Sequence, residues 1–251
     1  MAEKDRSIHR PVNRREFLRS SATLAGVLAG TSFSWSSEVP SVKRSATDWV
    51  TLGKSGIQVT RLACGSGTNG GHVQRTMGQT AFTQMIRHAY DQGVRFFESA
   101  DNYDQMHEMY AEALKGIDRS TYKQMTKIRW NDTQDVLATL DRFRKELNSD
   151  YFDIVLLHCV STANWPEELK RLRDGLEEAK QKKIILAHGA SCHGLNPLKA
   201  MPGVDWLDVA LVRVNHDGTK MDGPKGEWEE KGNRDEAVSY IQKIHQSGTG
   251  V

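Results

Sequence analysis

The sequence predicts an α/β protein whose parallel strands curl into a (β/α)8-type barrel, with about six βα units present. Six short strand-like runs recur along the body of the chain. Helical apolar stripes separate most of them, at one strand plus one helix per roughly 30 residues, the size of a βαβ unit. Five consecutive runs also deliver an ionisable or hydrogen-bonding side chain at their C-terminal ends, the rim where a parallel barrel places its chemistry.

The elements follow in order. Residues 49–60, Trp-Val-Thr-Leu-Gly-Lys-Ser-Gly-Ile-Gln-Val-Thr, read as two short strands about Gly53-Lys54-Ser55-Gly56, a hairpin. The strand-like runs are Arg61–Cys64, Val94–Ser99, Tyr122–Lys127, Ile154–Val160, Ile184–Ala190 and Val209–Val214. Between them, Phe82, Met85, Ile86, Ala89 and Tyr90 share a helical face that Gly93 ends. Val136, Leu140, Phe143 and Leu147 form a second stripe, with Asp132 as its expected N-cap. Leu169, Leu172, Leu176 and Ala179 form a third, and residues 236–245 a last helix. Gly65-Ser-Gly67-Thr-Asn-Gly70 has the Gly-x-Gly-x-x-Gly spacing of a dinucleotide-binding turn. A helix is not expected directly after it, and no acidic residue ends the second strand in the ribose-binding manner. The barrel is therefore preferred to an open doubly wound sheet.

A chain of 251 residues suits one barrel domain, and 38% hydrophobic with 26% charged residues is a globular profile. The first 37 residues hold six basic and three acidic side chains; the remainder, 28 basic against 29 acidic, is near neutral. That balance gives no general pull toward nucleic acid. Cys64, Cys159 and Cys192 are too few and too widely spaced for a disulfide framework or a zinc site, and buried thiols are the expectation. Asn13-Arg14-Arg15-Glu16-Phe17-Leu18-Arg19, then the short apolar run 22–30, has the pattern of a twin-arginine (Tat) export signal. That run is too short to span a bilayer. The expected organisation is a signal region at 1–37, a linker at 38–47 and the barrel at 48–251. The expected location is periplasmic or otherwise extracytoplasmic, reached through the Tat translocase.

At the strand ends stand Glu98 with Tyr103 five residues on, Lys127, His158, Ser191 with Cys192 and His193, and Arg213 with Asn215. Singly, each has an ordinary reading: a solvated lysine, a packed histidine, a loop tyrosine, a capping glutamate. Together they are the parts for reducing a carbonyl, which needs a hydride and a proton. An unperturbed phenol has a pKa near 10, too high to cycle easily, and a neighbouring ammonium lowers it. A carboxylate fixes the ammonium, and a histidine beside the carbonyl oxygen orients it.

These residues also carry a family resemblance. Gly93-Val-Arg-Phe-Phe-Glu98-Ser-Ala-Asp-Asn-Tyr103, Thr126-Lys127, Leu156-Leu157-His158 and Gly189-Ala190-Ser191-Cys192 are similar, in order, to the motifs of aldo-keto reductases. The opening hairpin resembles that family's barrel plug. The resemblance implies a TIM barrel and NADP, or NAD, as cofactor. The substrate would be a small carbonyl compound or sugar, interconverted between aldehyde or ketone and alcohol. Tyr103 would be the general acid, Lys127 would lower its pKa, Glu98 would stand for the family's aspartate, and His158 would orient the carbonyl. Gly65, Ser66, Ser191, Cys192 and Arg213 would hold the cofactor. The chain departs from the pattern in Glu98 for Asp, Cys192 for Asn, and Arg213 where Gln is frequent. Against the family, strands seven and eight are missing, so the barrel is expected to be incomplete: a truncated product or partial record, or else an assembly in which a partner covers the gap. An alternative follows from the same departures: a catalytically inactive barrel that binds a small molecule. A metal site at His188, Cys192 and His193 is disfavoured, because strand alternation separates them.

Overall fold

The computed structural model describes residues 43–219, 221 and 231–251. The twin-arginine region and residues 38–42 of the linker lie outside them. Arg44–Val251 is one compact unit.

Strands β1 (Trp49–Thr51) and β2 (Gln58–Thr60) pair antiparallel, with Val50 opposite Val59. A six-stranded sheet follows in strict sequence order: β3 (Cys64–Gly65), β4 (Phe96–Glu98), β5 (Lys123–Arg129), β6 (Phe152–Val160), β7 (Ile185–Cys192) and β8 (Val209–Leu211). All five pairings are parallel. Each returning connection must cross over a face of the sheet, which is why helices alternate with strands. The result is a curled parallel sheet, a half-barrel. Beside β8, Gly250 forms a further parallel bridge to Val209, with Ala210 N–H donating to Gly250 O at 2.8 Å.

Period-2 alternation divides the sheet into two faces. Phe96, Met125, Ile154, Leu156, Ala187 and Val209 point inward and pack with Ile57 and Val59 of the hairpin, which plugs that end. The outer residues meet the helices in a larger core. Helix α1 (His72–Asp91) buries Phe82 and Ile86; α2 (Met106–Ala113) buries Met106 and Tyr110. The helical stripe of α3 (Val136–Leu147) puts Val136, Leu140, Phe143 and Leu147 under cover, at about 1.5–3 kcal/mol for each large side chain. Then come α4 (Trp165–Glu168), α5 (Lys170–Gln181), α6 (Leu195–Lys199) and α7 (Arg234–Gln246).

Three local expectations are corrected. A helix does begin directly after the glycine-rich segment, at His72, and the non-helical backbone of Gly78 (φ 79°, ψ 160°) kinks it. The N-cap of α3 is Asp135, whose carboxylate accepts from Ala138 N–H at 3.0 Å; Asp132 instead pairs with Arg129. The first sheet strand is Cys64–Gly65 rather than Arg61–Cys64. Arg61 and Leu62 donate their N–H groups back to Asp48 and Ala46, which draws them toward the hairpin.

Candidate active site

Alternation puts Glu98, Lys127 and His158 on the same inward face as Phe96, Met125 and Ile154, and the rise along the strands carries them away from the plug toward the opposite mouth. There they line one cavity of about 400 Å³ with Gly65, Tyr103, Ser191, Cys192, His193 and Arg213. Lys127 is 2% exposed. Its ammonium contacts the Glu98 carboxylate and donates to Ser99 O at 2.9 Å. The longer glutamate therefore still reaches the lysine. The ammonium also lies 5.1 Å from the centre of the Tyr103 ring, which meets His158 edge-to-face at 5.5 Å between centroids.

Two glycines make this packing fit. A Cβ on Gly65 would come 2.8 Å from Glu98 Oε2, and one on Gly67 would come 2.6 Å from Tyr103 Oη. The glycine-rich segment thus gives the carboxylate and the phenol their room, a role its resemblance to a dinucleotide turn concealed.

The electrostatics follow from burial. Burial pushes Tyr103 up to about 12; the charge of Cys159 raises it further and Arg213 pulls it back. This corrects the expectation that Lys127 lowers the phenol. The ammonium lies against Glu98, so the pair presents little net charge to the ring, and desolvation dominates. Tyr103 is therefore a protonated phenol, an acid rather than a poised phenolate. Burial also drives Lys127 down to about 7, with Cys159 acting the other way. The carboxylate in contact opposes that shift too, and holds the charged form. His158 is lowered to about 3 by burial and then by Lys127, His193, Arg129 and Arg213. Its imidazole is neutral and carries one N–H to donate.

Of the remaining expected residues, Ser191, Cys192 and Arg213 line the cavity. Ser191 Oγ accepts from Cys159 N–H at 2.9 Å, so its own hydroxyl proton points to another acceptor. Ser66 does not line the cavity. It is fully buried, and its hydroxyl donates to Glu98 O at 3.1 Å, so it supports the wall from behind. His188 lies in the outer layer, stacked on Trp206 at 4.3 Å and bonded to Glu177 Oε2 at 2.9 Å, away from the rim that holds Cys192 and His193. No group of three metal-holding side chains occurs among the described residues.

Sequence reasoning missed His107. It bridges Glu146 Oε2 (2.8 Å) and Thr126 Oγ1 (2.8 Å) on the outer face of β5, directly behind Lys127. A lone histidine in an amphipathic helix gives no sign of this.

The donor set suits a nicotinamide ring and its carboxamide: Ser191 offers a hydroxyl donor, and Arg213 a guanidinium beside Tyr103.

Residues 61–246 match the model of the Aldo/keto reductase family. Among curated proteins, aldo-keto reductase YhdN of Bacillus subtilis is 22% identical over 147 residues, covering 53% of this chain and 43% of that protein. A probable aldo-keto reductase of Glycine max is 25% identical over 177 residues, covering 62% and 51%. The chain spans about half the length of these curated relatives. A putative aldo-keto reductase from Pseudomonas aeruginosa superposes with a TM-score of 0.61 at 17% identity, covering 83% of this chain and 78% of that one. The holo form of an aldo-keto reductase from Bacillus halodurans gives 0.61 at 19%, covering 81% and 64%. At such identities the structures speak to shared fold alone. The family match, however, runs from just before β3 to the end of α7, and the chain belongs to the aldo/keto reductase family.

Proposed function

We propose that this protein is a nicotinamide-dependent oxidoreductase that interconverts a small aldehyde, ketone or sugar carbonyl and its alcohol, with NADP as the preferred cofactor over NAD. One observation carries the reading: a buried Lys127–Glu98 pair, a protonated phenol and a neutral imidazole converge on one cavity. A bound nicotinamide supplies the hydride. Gly65, Ser191, Cys192 and Arg213 would hold it at the cavity wall, and Ser66 would brace that wall. His158 donates a hydrogen bond to the carbonyl oxygen and orients it. Tyr103 Oη gives its proton to that oxygen as negative charge gathers there. The phenolate left behind faces Arg213, whose charge draws its pKa down, until a proton returns.

The four side chains keep their mutual contacts despite Glu98, Cys192 and Arg213, which favours catalysis over an inactive binding barrel. Fluorescence titration of the purified chain with NADPH and NADH tests the reading. Saturable binding with NADPH tighter is expected; binding of neither cofactor would overturn it. Export by the twin-arginine route is part of the same proposal, motivated by Arg14 and Arg15. Cell fractionation should find the protein in the periplasm, and Arg14→Lys/Arg15→Lys in the cytoplasm. Equal periplasmic amounts of both would contradict the route.

A further inference from the structure

We propose that Cys159 and His193 form a nucleophilic pair beside the cavity, a modification site for α,β-unsaturated carbonyl compounds. Cys159 Sγ lies 3.1 Å from His193 Nε2, and Arg213 Nη2 lies 3.2 Å from the same nitrogen. A guanidinium only donates, so Nε2 is assigned here as the unprotonated ring nitrogen, able to take the thiol proton. The fixed positive charge beside the pair favours the anionic sulfur and disfavours a lingering imidazolium.

The sulfur is held in place. Cys159 sits where the β6–β7 register breaks, between Leu157 and Val160, with a left-handed backbone (φ 55°). Its N–H donates to Ser191 Oγ at 2.9 Å and its carbonyl accepts from Trp130 Nε1 at 3.4 Å. It is half-buried, and both His193 and Arg213 open on the cavity. The sulfur is also close enough for its charge to act on Tyr103 and Lys127. Cys64 differs: burial alone acts on it, and pushes that thiol up.

The chemistry needs no oxidant. His193 Nε2 takes the proton from Sγ, and sulfur bonds to the β-carbon of the unsaturated carbonyl compound. The C=C electrons move to the enolate, which takes the proton back from His193. The sum is addition of S–H across the double bond. Soft electrophiles of this class are carbonyl compounds, and the His193 side of the pair opens on the cavity that would admit a substrate, while the sulfur is half-buried. The site does not depend on reductase activity, because the adduct is read by mass.

The test treats the purified full chain with methyl vinyl ketone at pH 6.5 and follows each cysteine by peptide mass mapping. Cys159 should label about tenfold faster than N-acetylcysteine, and faster than Cys64 in the same chain. His193→Gln should bring Cys159 down to the free-thiol rate, with circular dichroism reporting whether the fold is retained. The comparison with Cys64 and N-acetylcysteine stands without any variant. Labelling of wild-type Cys159 no faster than N-acetylcysteine, or a rate unchanged in folded His193→Gln, would overturn the proposal.

Discussion

The two ends of the parallel sheet each bury a carboxylate with basic side chains, and the two are built differently. At the N-terminal end, Asp153 is fully buried: its Oδ2 accepts from Arg119 Nη2 at 2.7 Å and from Gln124 N–H at 2.9 Å, and its Oδ1 forms an ion pair with Lys123 Nζ at 3.1 Å. It ties β5, β6 and the 3-10 turn Arg119–Thr121 together. At the C-terminal end, Glu98 and Lys127 also touch, but they open on a cavity beside a phenol and an imidazole. The Asp153 cluster joins elements of the fold to one another. The Glu98–Lys127 pair stands beside two groups, Tyr103 and His158, that can exchange a proton with whatever enters. The difference between stability and chemistry is thus one of which groups stand beside the ion pair.

Substitution at each end should separate the two roles. Lys127→Met should lower kcat/KM for aldehyde reduction by about a thousandfold, within the range of general acid–base groups, with cofactor binding retained in the titration. A loss below tenfold would mean that the pair is merely structural. Asp153→Asn should do the reverse. Breaking a buried pair costs about 3 kcal/mol of stability, read from the urea midpoint, while kcat changes little. Gly67→Ala is a smaller perturbation of the rim alone. Its Cβ must displace the Tyr103 hydroxyl, so kcat should fall by about tenfold while the thermal midpoint barely moves. An unchanged kcat would show that the phenol's position is not critical.

A further effect concerns pH. His158 is held at about 3 in the fold against about 6.5 when unfolded. Between those values the unfolded chain binds a proton that the folded chain refuses. Stability should therefore fall as pH drops from about 6.5 toward 3 and be unaffected by this group above that window. Folded His158→Gln should show a shallower acid slope in urea titrations; an identical slope would refute the assignment.

Much of this arrangement was legible in the sequence, because it rests on alternation. Five of the six strand runs lie within a few residues of their observed positions, and Glu98, Lys127, His158 and Ser191 reach one rim because β4–β7 run parallel in sequence order. What escaped depends on contacts between distant segments. Arg61 and Leu62 left the first strand for partners at 46–48, and Ser66 turned into the wall toward Glu98. Asp135 won the cap because Asp132 had Arg129. The Tyr103 shift reversed because burial outweighed a lysine already matched by its carboxylate. The Cys159–His193 contact needed a register break that no local pattern announces.

The most direct measurement follows NADPH oxidation with a small aldehyde by the purified chain and by Tyr103→Phe, with cofactor affinity measured on both. The account predicts turnover by the native chain that persists from pH 6 to about 9, since the phenol stays protonated there. It predicts loss of that turnover in Tyr103→Phe at unchanged NADPH affinity. Equal turnover by the two proteins would contradict the assignment of Tyr103 as the proton donor and, with it, the account of the site.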